Sequence, residues 1–123
     1  MTQKLMQVAT LLRTVRTAAE ASGYPCGIPT VEILLLIAAG VDTHRGLIEA
    51  TDKAQDARGV KRIALYLEGR TEQHANRARA SPFRLIERRK HPHRAGHQFR
   101  LSEEGLTLLK PVFPSLTRPT WNE

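Results

Sequence analysis

A single cysteine, Cys26, stands among the 123 residues of the chain. One thiol excludes an internal disulfide framework and fits a reducing compartment. Aromatic residues are also few: three Phe, two Tyr and one Trp, scattered along the chain. They form no interleaved platform on which single-stranded bases or RNA could stack. The longest uncharged apolar stretch, Ile33 to Val41, is far short of the roughly 20 residues that span a bilayer. The opening residues, Met1 to Arg13, lack the basic start, apolar middle and small-residue cleavage site of a secretory leader. A cytoplasmic protein with no membrane partner is the expectation. Catalytic signatures are missing as well, with no Gly-rich phosphate loop, nucleophile elbow or metalloprotease helix. The adjacent acids Glu103 and Glu104 read as first-turn charges of a helix rather than as an acid/base pair. Nothing here calls for an enzyme or a cofactor.

Cations, by contrast, are plentiful. Nineteen Lys and Arg face twelve Asp and Glu, a net charge of +7. The excess is concentrated: Lys53 to Arg100 holds thirteen Lys and Arg but only four acids, Asp56, Glu68, Glu72 and Glu87. That segment carries a surplus of nine, so the remainder of the chain is slightly acidic. Four of the five histidines fall in it too. Solubility alone does not require charge to be confined to one part of a chain, whereas a surface that meets a polyanion does. The basic segment is interrupted by Gly69, Ser81-Pro82, Pro92 and Gly96, so it is not one amphipathic helix lying on a membrane.

Periodicity divides the chain into an N-terminal helix with its hinge (1–27), a central domain (28–110) and a C-terminal tail (111–123). Gln3 to Ser22 reads as a long helix in which Leu5, Val8, Leu12, Val15 and Ala19 recur at spacings of three and four. Such a narrow stripe resembles a coiled-coil seam and points to a dimerisation arm, with an ordinary core-facing helix as the alternative. Thr30 is a candidate N-cap for a second, largely apolar helix over Val31 to Ala39, closed by Gly40. Thr43 is placed to cap a third over His44 to Ala50, and Asp56 a fourth over Ala57 to Glu68 that Gly69 ends. In this fourth helix Val60, Ile63, Ala64 and Leu67 form the inward stripe, which turns Arg58, Lys61 and Arg62 outward. Arg84 to Lys90 and Gln98 to Leu101 read as two strands around a polar tip, Lys90 to His97. Ser102 caps a last helix through Leu109, and Pro111, Pro114 and Pro119 keep the tail non-helical. The segment Arg70 to Phe83 shows no clear apolar face.

The order helix, helix, basic helix, basic hairpin is the plan of a winged helix-turn-helix, so the expected class is α+β, mainly α, with an N-terminal dimerisation helix. The major groove of DNA admits one helix, and a reader of it needs one apolar side and one hydrogen-bonding side. Arginine offers a forked donor to guanine O6 and N7, while lysine reaches guanine or phosphate. A hairpin rich in Arg and His suits an adjacent minor groove or the phosphates. The residues expected to contact double-stranded DNA are Thr43, Arg45, Gln55, Arg58, Lys61, Arg62, Arg88, Arg89, His93 and Arg94.

Within this plan, Leu85-Ile86-Glu87-Arg88-Arg89 followed by Phe99-Arg-Leu-Ser-Glu-Glu-Gly105 resembles the MarR-type winged-helix transcriptional regulators. The likeness extends over roughly residues 28 to 109. It implies a homodimer joined through terminal helices, binding a palindromic operator through two recognition helices, with repression as the expected outcome. Asp56 matches the cap of the family's recognition helix, Arg58, Lys61 and Arg62 its exposed face, and Arg88, Arg89 and Arg94 the wing. The family also leaves room for a small-molecule inducer, which no motif of this chain indicates. The long segment Arg70 to Arg84, the short last helix and three wing histidines mark an atypical member.

Other chemistry has less support. His91, His93 and His97 lie within a few residues of one another, but no cysteine and few carboxylates accompany them as metal ligands. They read instead as DNA contacts that strengthen on protonation below about pH 6.5. Cys26 reads as a small apolar residue rather than a redox sensor, since no cation flanks it. Two further readings remain beside the regulator: a plasmid or phage replication or partition protein binding repeated DNA sites, and a basic module docking an acidic protein partner.

Overall fold

Three helices of this chain begin on the same local device. Thr43, Asp56 and Ser102 each sit in extended backbone, and each side-chain oxygen accepts a hydrogen bond from the N–H of the glycine three residues on: Gly46, Gly59 and Gly105. Each bond satisfies one of the N–H groups that a helix start leaves unpaired, a gain of about 1 kcal/mol. These are three of the four caps expected from the sequence. In a computed structural model the chain is described over residues 2–21, 27–52, 56–69 and 84–121, with only the backbone at 18–21. Among the described residues the fold is α+β and mainly helical. Its order is α1 (Thr2–Ala21), α2 (Ile28–Ala38), α3 (His44–Ala50), α4 (Ala57–Leu67), β1 (Ile86–Lys90), β2 (His97–Leu101) and α5 (Glu103–Leu109).

The start of α2 departs from expectation. Gly27 is its N-cap and makes no side-chain cap bond, while Pro29 occupies the first turn and Thr30 lies buried within the helix. Proline is well suited to a first turn, where its missing N–H costs nothing. The helix therefore runs one turn earlier than a Thr30 cap would allow. At the far end, Gly40 takes φ +109°, a left-handed conformation that glycine adopts without strain and that ends the helix.

β1 and β2 pair antiparallel, with Ile86 opposite Leu101, Arg88 opposite Phe99 and Lys90 opposite His97. His97 thus belongs to the second strand and not to the tip, which spans residues 91–96. The loop before α3 joins the far edge of β2, where the Phe99 N–H donates to the Asp42 carbonyl (2.8 Å) and the Gln98 amide to the Asp42 carboxylate (2.9 Å). Alternation puts Ile86, Leu101 and Phe99 on one face of the hairpin, and all three are buried. They meet Ile33 and Leu34 of α2, Leu47 of α3, Val60 and Leu67 of α4 and Leu109 of α5 in one core. Burying each such side chain contributes about 1.5–3 kcal/mol.

The N-terminal helix and the tail share that core. Leu11 and Val15 of α1 and Val112 of the tail are 4%, 1% and 4% exposed. Lys4 donates to the Val112 carbonyl (3.3 Å) and lies over the Phe113 ring. Of the anticipated stripe, Val15 is therefore buried within its own chain, and the Ala19 side chain falls outside the described residues. Leu5, Val8 and Leu12 are 63%, 38% and 45% exposed. Among the described residues no helix is long and apolar enough to cross a membrane.

Candidate nucleic-acid interface

α4 has two faces of opposite chemistry. Val60, Ala64 and Leu67 are buried, whereas Arg58, Lys61 and Arg62 are exposed, three cations at positions that share one helical stripe. Arg45 lies exposed in the first turn of α3. Thr43 is half-buried and its hydroxyl oxygen is engaged by the Gly46 N–H (3.0 Å), so its role is to shape the start of α3. Gln55 lies outside the described residues.

His44 ties these elements to the hairpin. Its ring stands edge-on to Phe99, with centroids 4.9 Å apart. Partial burial holds the imidazole pKa below its ordinary value, and the positive fields of His97, Arg88 and Lys61 lower it further. His97 is lowered in the same direction by burial and then by Arg88. The contact of His44 with Phe99 sets the start of α3 against the hairpin, and Lys61 of α4 is near enough to act on the same ring. A sequence reading could find the cations of each element but not their meeting at His44, which depends on tertiary packing. Lys90, exposed at the end of β1, is a further cation of the hairpin and escaped the reading, although its place beside the tip signalled it.

Two of the three arginines expected at the hairpin have partners within the chain. Arg88 Nε lies 3.2 Å from the carboxylate of Glu68, the C-cap residue of α4, and this pair links helix to hairpin. Arg89 occupies the opposite face of β1, where its Nε donates to Gln98 (2.8 Å) and its guanidinium lies 4.9 Å from the Trp121 ring centre. Both are half-buried. His93 and Arg94 at the tip are exposed. The His93 N–H donates to His91 Nδ1 (3.0 Å), an internal bond that shapes the tip, and the His91 N–H closes the turn on the Gly96 carbonyl (3.0 Å).

Two acids, Glu103 and Glu104, lie apart on α5. An open cleft of about 460 Å³ between α1 and α5 is lined by Val15, Leu85 and Leu108, with Glu103 and Glu104 among its walls. No group of three or more potential metal ligands occurs among the described residues. Chemically, the exposed cations offer point charges and forked donors to a polyanion. No family model, curated protein or solved structure matches this chain.

Proposed function

We propose that this chain is a sequence-specific double-stranded-DNA-binding transcriptional regulator of the winged helix-turn-helix type, acting as a homodimeric repressor. One observation carries the reading: α4 turns Arg58, Lys61 and Arg62 outward, and Lys61 acts on His44 at the start of α3 together with Arg88 and His97 of the hairpin. In this reading α4 enters the major groove, presenting Arg58, Lys61 and Arg62 to base edges and phosphates. Arg45 meets the adjacent backbone, and Lys90, His93 and Arg94 reach the neighbouring groove from the hairpin. Exposed Leu5, Val8 and Leu12 of α1 supply the seam between two copies. The MarR-like run from Leu85 to Gly105 agrees with this assignment.

Selection from a randomised duplex library at about 150 mM salt tests it, because charge-driven non-specific binding is weakened there. The expected result is an enriched inverted repeat whose half-sites lie about one helical turn apart. Arrays of direct repeats would replace the regulator with a replication or partition protein. Absence of enrichment by folded protein would reject DNA reading in favour of an acidic protein partner.

A further inference from the structure

The last residues of the described chain lie across the outer face of the hairpin. Arg118 of this strap donates to the Glu87 carboxylate (3.0 Å) and to the Leu101 carbonyl (3.3 Å), so it grips both strands. Arg100 donates to the same Glu87 oxygen (2.8 Å) and to the Pro119 carbonyl (2.9 Å). Trp121 then covers two arginines, its ring centre 4.0 Å from the Arg100 guanidinium and 4.9 Å from that of Arg89. The strap is rooted in the core by Val112.

A two-stranded hairpin is marginal by itself. Here one face is held by Phe99 in the core and by the Arg88–Glu68 pair, and on the other face, apart from the Gln98–Asp42 bond, the strap makes the contacts. We propose that Trp121 is a positioning residue: it braces the hairpin against the body so that the cationic tip keeps a fixed place relative to α4. The indole N–H is buried and has no hydrogen-bond partner among the described residues. The ring is held through its face, which is the cation–π arrangement and not a polar anchor. Phenylalanine offers the same kind of face, so it should substitute in part.

The brace rests on the DNA-binding reading only for its consequence, and the test separates the two. Amide hydrogen exchange of full-length Trp121→Ala should be about tenfold faster in the β1–β2 ladder and unchanged in α2 and α4. Trp121→Phe should restore most of the protection. Arg118→Ala, which leaves the indole in place, should loosen the same ladder. On a duplex bound by the unaltered protein, Trp121→Ala should lose backbone protection attributable to the hairpin while keeping that of α4. Unchanged ladder exchange in both alanine variants overturns the brace, as does equal acceleration throughout the molecule. Faster ladder exchange combined with tighter duplex binding would overturn positioning and make the strap a mask over Arg89 and Arg100. If the unaltered protein binds no duplex, the regulator reading fails and the exchange pattern still decides the brace.

Discussion

Gly105 shows how one residue can be fixed by its neighbours rather than by its own backbone angles. A Cβ built there would stand 2.1 Å from the Leu85 carbonyl oxygen and 3.2 Å from Leu101 Cδ2. The nearer atom is backbone, so it cannot swing aside. This crowding arises because Ser102, the cap of α5, also donates its hydroxyl to the Arg84 carbonyl while its N–H donates to Leu85 (2.9 Å). The chain entering β1 is thereby laced to the first turn of α5. Gly105→Ala should destabilise the fold by about 2 kcal/mol, the usual scale for forcing atoms into a packed interior. A denaturant titration measures it, and an unchanged midpoint would mean that the Leu85 segment can shift freely.

At the scale of elements, the hairpin and the starts of α3 and α4 were legible because their signals are local: a cap residue, an inward stripe, a polar tip. What each face meets was not legible. Alternation along β1 assigns Arg88 and Arg89 to opposite faces, but Glu68 and Trp121, which occupy those faces, lie 20 and 32 residues away in sequence. The same holds for α1, where spacing located an apolar stripe yet could not say that Leu11 and Val15 would turn to the chain's own core. Tertiary partners of this kind leave no periodic trace. The meeting of elements at His44 has a consequence for pH. Its folded-state pKa lies below that of the unfolded chain, through burial first and then the fields of His97 and Arg88 from the hairpin and Lys61 from α4. Stability from the neutral ring is complete above about pH 6.5 and declines as pH falls below that value toward the folded-state pKa. A bound phosphate reverses the local field and favours the imidazolium, so binding takes up protons. Between pH 7.5 and 6.0 at constant salt, duplex affinity should rise while thermal stability falls. Equal affinities at the two values, or a rise that persists in a His44→Asn, His97→Asn double variant, would exclude these rings as its source.

Over the molecule as a whole, the described cations that stand free to meet a polyanion are concentrated on a few elements. Arg45, Arg58, Lys61, Arg62, Lys90 and Arg94 are exposed on α3, α4 and the hairpin, while Glu103 and Glu104 flank the cleft beside α1. Such a set of exposed cations draws a polyanion toward the elements that carry it. The number of cations that meet phosphate can be read from salt dependence, because each releases condensed counterions and steepens the slope of log K against log salt by about 0.9. If between three and six of these cations per protomer lie on phosphates, the slope per protomer is about −3 to −5. Lys61→Ala should flatten it by about one unit, whereas Arg13→Ala on the exposed side of α1 should leave it unchanged. A slope shallower than about −1 would mean that phosphate contacts do not dominate this surface. Equal flattening by both substitutions would mean that α4 is not the face that meets phosphate.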